Sequence, residues 1–357
     1  EWFSTMFPRP SRKFLIAIGV VVGMMLLIGG LNSFVLGLGR VGWSELTTAT
    51  TALPSDMVYD LAPLPDGGMA IATERGLALW QPASGDELLD QWTIFDPTNS
   101  PLPAWRVLAL VYDQDEDALW VGTASGLARY EAGSWQIIRA DELGLENDQI
   151  NALALGSDHR LWVGTMDGVA VRYGSGWLAY TLGNSELPGD SIFTLAVQSR
   201  EAGDVLWFGA LDGVSALDTV TGEWRRYTAR DLNLGWGGVA DLLADSHGGV
   251  WVATLGGGIS RWEAGQWTVF TTTNSKLPYN SVSEIIQSAA GEIWIAGSKP
   301  DESGGVLVRV VDNDWQIYRA ILSGFSGGEV MAMAQDTQGK MWFGMRIVGI
   351  NIYDQQR

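Results

Sequence analysis

The chain has 357 residues, enough for one large domain or two ordinary ones, with 45 Gly and 18 Trp but no Cys and only 2 His. A formal net charge of −19 leaves nothing to neutralise phosphates and argues against nucleic acid as a partner. The lack of Cys excludes disulfides and cysteine-ligated metal. Many Gly beside many Trp suits tight turns around wide apolar surfaces rather than a helical protein.

The first element in chain order is an uncharged run over 14–39, FLIAIGVVVGMMLLIGGLNSFVLGLG, behind a short segment 1–13 that ends in Arg9, Arg12 and Lys13. Its length exceeds the roughly 20 residues that cross a bilayer. The positive-inside rule puts 1–13 in the cytoplasm and everything after Arg40 outside. A cleaved signal peptide is the rival reading, but the run is longer than a usual signal core, and an uncleaved single-pass helix in the cell membrane is expected. Gly29 and Gly30 would let a neighbouring helix approach, and Asn32 and Ser33 would hydrogen-bond across to it.

After Arg40 the sequence repeats. A Trp followed by Val, Phe or Ile and then Gly or Ala recurs at Trp120, Trp162, Trp207, Trp251, Trp294 and Trp342, with spacings of 42, 45, 44, 43 and 48 residues. MAIATERGLALW at 69–80 is a degenerate earlier copy with Ala70 in the Trp position. Each copy is preceded by one apolar run and followed by two more, the last carrying a second Trp: Trp92, Trp135, Trp177, Trp224, Trp267 and Trp315. Four strand-length runs, A to D, in units of about 44 residues predict a β-propeller. The last unit stops after its C run, whereas WSELTT at 43–48 has D character and no A, B or C before it. Trp43 then supplies the seventh outer Trp, and 43–48 closes the ring in the last blade. The expected fold is an all-β, seven-bladed propeller of four-stranded blades over 43–357, preceded by one transmembrane helix. The helix enters strand D at its start, so the A–B and C–D turns are expected near the membrane, and the D–A and B–C loops far from it.

The repeated residues read mainly as wall: Trp fills the seams between blades, Gly122 and Gly164 permit close approach, and Gly126, Gly168 and Gly213 suit the B–C turn. The D–A loops TNSPLPAWRV, LGNSELPGDSI and TNSKLPYNSV share an Asn-Ser and a Leu-Pro. The variable residues around these fixed points, and their counterparts in other blades, are the candidate contacts of the distal face: Trp105, Arg106, Asp148, Asp190, Trp236, Lys276, Tyr279, Asn280 and Glu329. Asp60, Asp241 and Glu284 hold one position of strand A, where other blades have Ala or Thr. At one level near the axis they could hold a cation or simply be solvated channel residues. His159 and His247 sit in turns of different blades without motif partners. The DQDED of Asp113–Asp117 lacks the Gly and terminal Glu of a calcium loop.

The stretches Asp115–Tyr130, Asp158–Tyr173 and Asp245–Trp262 resemble the two-component regulator propeller repeat, roughly D-x-x-G-x-L-W-x-G-T-x-x-G-L-x-x-Y. The resemblance spans about 43–357 and implies an extracytoplasmic sensor propeller, periplasmic or extracellular, of the kind found in membrane histidine kinases. A kinase or output module is not expected here, so signalling would need a partner chain. A more distant resemblance to the streptogramin lyase propeller implies a catalytic His and a divalent metal, which two separated His do not supply. The expected function is a non-catalytic, membrane-anchored interaction module, an accessory subunit that meets other subunits of a membrane complex through its helix and loops. A small-molecule or glycan sensor is the alternative, and a lyase or hydrolase the third reading. No cofactor, catalytic residue or metal ligand is assigned.

Overall fold

The computed structural model describes residues 42–83, 89–232, 237–298, 304–312, 314–319 and 323–355. Among them are twenty-eight strands, from β1 (Trp43–Leu46) to β28 (Ile350–Tyr353), and one four-residue helix, α1 (Ala140–Leu143). The strands form seven antiparallel four-stranded sheets. The first complete blade runs β2 (Val58–Pro63), β3 (Met69–Thr73), β4 (Gly76–Gln81) and β5 (Gln91–Phe95), its strands A to D from the axis outwards. Five blades repeat this order, and the seventh is shared between the chain's two ends. Its A, B and C strands are β26 (Val330–Gln335), β27 (Met341–Met345) and β28, and β1 pairs on its outer edge with Trp43 opposite Tyr353 and Leu46 opposite Ile350. Trp43 lies among Tyr318, Phe325, Phe343 and Tyr353, at 4.8–6.2 Å between ring centres. Closure buries aromatic surface and removes a sheet edge that would otherwise template pairing.

The expected helix is corrected. Residues 14–39 lie outside the described residues, and among the described residues no helix is long and apolar enough to cross a membrane. The described residues build an all-β ring whose one named helix, α1, has four residues, where a crossing needs roughly 20. With the helix go the expectations that hung on it: a single-pass membrane location, the lipid bilayer and membrane-complex subunits as helix partners, and the assignment of one face of the ring to a membrane. Gly29, Gly30, Asn32 and Ser33 lie outside the described residues.

The seams between blades are built on the inner tryptophans. Trp120, Trp162, Trp207, Trp251, Trp294 and Trp342 are all buried, while Trp92, Trp135, Trp177, Trp224, Trp267 and Trp315 are half-buried farther out. The two rings of indoles meet across seams edge to face: Trp120 with Trp177 at 6.5 Å and Trp207 with Trp267 at 6.3 Å. The Gly two residues after the Trp is needed where strand B passes the next blade's strand A. A Cβ on Gly122 would stand 2.7 Å from the Ile150 side chain. Gly126 adopts φ +126°, and its missing side chain leaves room for the Ile138 carbonyl. The D–A loops are capped alike. Asn99, Asn184 and Asn274 each accept an amide proton three residues back and donate to a carbonyl five residues back. Leu102, Leu187 and Leu277 then plug the core edge.

Candidate ligand site at the channel mouth

Strand A of a propeller has no neighbour on its axial side, so its inward groups must find partners in the channel or in water. In six blades the A–B ladder skips the second residue of strand A, as between Val58 and Asp60. The bulge aims both the skipped residue and the next one at the axis. The skipped positions Tyr59, Asn151 and Ser283, with Asp60, Asp241 and Glu284 and with Phe193 and Thr194 of the unbulged fourth blade, line a cavity of about 250 Å³ at the start of the A strands, on the side of the D–A loops.

The three acids are first of all staples. Asp60 Oδ2 accepts the Leu110 amide proton of the next blade at 2.7 Å, and Asp241 Oδ2 accepts that of Ile285 at 3.0 Å. Glu284 accepts the amide of Met333 in the seventh blade. Each carboxylate thus takes the inward N–H of the neighbouring innermost strand. Their other contacts are Leu61 N to Asp60 Oδ1 at 2.7 Å and the Thr194 hydroxyl to Asp241 Oδ1 at 2.9 Å. Burial among the blades pushes Asp60 up from 3.8 to about 7 and Asp241 to about 6, against the pull of those amide bonds. Burial also raises Glu284 well above its ordinary range, and the charges of Asp241 and Asp60 add to the push. All three residues are half-buried at the channel wall. The cation reading of these acids gains no support: among the described residues no three His, Asp or Glu come together as metal ligands.

Above this floor lies a charged rim. The Tyr59 hydroxyl donates to Glu74 Oε2 at 2.6 Å, and Arg106 grips the same carboxylate through Nε and Nη2 at 2.8 and 3.0 Å. The Arg106 bond holds Glu74 below the usual carboxylate range, while burial and the Glu74 bond push Tyr59 up to about 12. Arg346 pairs with Glu329 at 3.1 Å in the seventh blade.

The candidate contacts therefore scatter. Arg106 and Glu329 are at the rim in ion pairs, and Trp105 beside Arg106 is 48% exposed. Asp148 accepts the Ala140 amide proton at 2.7 Å and orders the start of α1. Asn280 accepts from Thr272 N at 2.8 Å, and its carbonyl accepts from Gly256 and Gly258, which makes it a loop brace. Tyr279 packs on the blade 5–blade 6 core, Lys276 lies 3.5 Å from Asp314 at the surface, and Asp190 is exposed. Trp236 lies outside the described residues. The cavity residues Tyr59, Asn151, Phe193 and Ser283 and the rim acid Glu74 were not among the candidates. The signal for the first four was the second position of the A runs, read as a ring; Glu74 lies in a B–C turn and carried none.

With this geometry in hand, two stretches of the ring, residues 144–167 and 324–346, match the model of the two-component regulator propeller family. No curated protein matches the sequence. Among solved structures, it is similar to the extracellular domain of a putative hybrid two-component system from B. thetaiotaomicron, at 17% identity and a TM-score of 0.72, over 87% of this chain and 41% of that one. It thus spans well under half of that structure's length. It is also similar to streptogramin B lyase, at 15% identity, TM-score 0.67, and 87% and 97% coverage. A third likeness is to YCF48 bound to D1 peptide, at 12% identity, TM-score 0.60, and 87% and 96% coverage. At these identities the likeness concerns the fold.

Proposed function

We propose that this chain is a non-catalytic, sensor-type propeller whose channel mouth binds a small polyhydroxylated ligand. This replaces the anchored accessory subunit, which rested on a helix that the described residues do not contain. The observation that carries the reading is the convergence of Asp60, Asp241, Thr194, Asn151 and Ser283 on one concave space of about 250 Å³, with the Tyr59 and Phe193 rings beside them. Carboxylates and amides have spare lone pairs for vicinal hydroxyls, and the rings offer faces for C–H surface. The family and the extracellular domain from B. thetaiotaomicron support a sensor. Support for binding over catalysis is that the polar groups of the wall are already committed to the backbone: the Ser283 hydroxyl donates to the Val330 carbonyl at 2.8 Å, and Asp60 and Asp241 accept amides of the neighbouring strands.

Calorimetric titration with a panel of neutral mono- and disaccharides tests this. At least one is expected to bind saturably and to weaken tenfold or more in Asn151→Leu or Asp241→Leu. A panel without a saturable binder, or a binder indifferent to both substitutions, sinks the reading. A second reading, protein contact through the loops, is favoured by Trp105, whose 48% exposure is unusual for an indole on a rigid rim.

A further inference from the structure

The seven seams are not equal. At blade 5 the Trp251 indole N–H donates to Asp245 Oδ2 at 2.8 Å, and the Arg261 guanidinium stands 4.9 Å above the ring. At blade 7 Trp342 donates to Asp336 at 2.9 Å, and at blade 4 Trp207 donates to Gln198 at 3.2 Å. Arg309 and Arg129 cover Trp294 and Trp120 at 5.9 and 5.7 Å. Blade 1 lacks all three parts together. Ala70 replaces the Trp, and Leu79 stands opposite it, where Arg261 stands opposite Trp251. Leu64 lies six residues before Ala70, the place that Asp245 and Asp336 hold before their Trp.

An indole removed from a seam with its acceptor and its cover leaves apolar space. The groove between blades 1 and 2 has a volume of about 530 Å³ and is walled by Leu64, Leu79, Leu119, Tyr112 and Tyr130. These walls are the counterparts of what Trp120 packs on one seam later, where Leu155 and Leu161 hold the places of Tyr112 and Leu119. The volume falls in the range of small-molecule sites. The lining is one-signed: Asp66 and Asp117 carry carboxylates into it, and it contains no Lys, Arg or His. Asp66 already accepts from Gln81 Nε2 at 2.6 Å and from Gly68 N, and Asp117 accepts from the Tyr112 hydroxyl, which leaves further lone pairs on each. The matching groove between blades 4 and 5 differs. Trp207 fills its floor, and Arg200 and Arg225 oppose its acids.

We propose that the blade 1–blade 2 groove binds a small aromatic cation, with its ring where the other seams hold an indole and its ammonium against Asp66 and Asp117. This site is separate from the channel mouth and does not rest on the sensor reading. Tryptamine is the probe, titrated by calorimetry into the full chain. Saturable one-to-one binding is expected, tenfold or more weaker in Ala70→Trp, which supplies the ring from inside. Leu79→Arg, which restores the cover of other seams at a partly exposed position, should weaken it as much and serves if Ala70→Trp does not fold. Asp241→Asn in the channel should leave it unchanged. The proposal is overturned if tryptamine does not saturate, if folded Ala70→Trp or Leu79→Arg binds it as tightly as the parent, or if Asp241→Asn weakens it. Equal binding of hexylamine would overturn the ring requirement, and equal binding of indole-3-acetate the charge requirement.

Discussion

The seam after blade 5 and the seam after blade 1 are built on the same strands and reach opposite solutions. After blade 5, the Asp245 side chain is 3% exposed and takes the indole N–H of Trp251, two backbone amides of its own turn and the Arg261 guanidinium. After blade 1, three apolar or small residues stand at the same stations, and the seam holds through Leu77, Leu110, Val121 and the aromatic outer edge of Phe95, Tyr130 and Trp135. The comparison teaches that a blade repeat has two separable duties. The outer and inner aliphatic layers hold neighbouring blades together. The Trp–acid–Arg set seals the seam towards the A–B and C–D turns and can be given up where an opening is useful.

The strongest test of that division is Trp251→Ala, expected to destabilise by about 3–5 kcal/mol in urea unfolding, since it opens a cavity and leaves Asp245 and Arg261 around it. A loss under ~1 kcal/mol would mean that the set is dispensable at every seam. Asp245→Ala comes next, at about 2–3 kcal/mol near neutral pH, because it strands an indole N–H, amides and a guanidinium. Burial pushes this acid up, but the Trp251 bond, the Gly249 amide and Arg261 outweigh it and hold the acid below its ordinary 3.8. Its stabilisation is therefore present above that value and lost as pH falls through the lower folded one. The gap between parent and variant should close in acid.

Asp60→Asn sharpens the contrast between seams and axis, with the opposite sign. The folded protein holds Asp60 near 7, whereas the unfolded chain releases its proton near 3.8. Between those values the unfolded state binds fewer protons, so the native stability falls as pH rises. The variant should gain on the parent as pH rises from 4 to 8, by up to about 4 kcal/mol at roughly 1.4 kcal/mol per pKa unit, read as a rise in Tm relative to the parent, while its amide oxygen still accepts from Leu110. No pH-dependent difference would mean that channel water solvates the carboxylate fully. The smallest effect belongs to Leu79→Arg, expected within about 0.5 kcal/mol of the parent because the position borders an open groove. A larger loss would show that Leu79 carries the seam itself.

Much of the ring was legible in residues 43–355. The Trp period counts blades, and the unpaired WSELTT run finds its place because a ring with three strands in its last blade must borrow a fourth. Period-based reasoning also found Asp60, Asp241 and Glu284 as one level of the axis, but not that they accept amides of the next blade. That depends on a β-bulge, and a one-residue slip in a ladder leaves little trace in an apolar run. Composition misled in the other direction. Hydropathy and flanking charge in 1–39 dictated an anchor, and the assignment of faces followed from it, while the described structure contains no membrane-crossing helix.

The sequence by itself determined the number of blades, the strand that shuts the ring and the residues that wall the seams, because these follow from local periodicity and side-chain size. Only the tertiary structure decided which acids brace the axis, which loop residues are braces rather than contacts, and which seam is open. Those outcomes depend on atoms brought together from blades more than forty residues apart, such as Asp60 and Leu110.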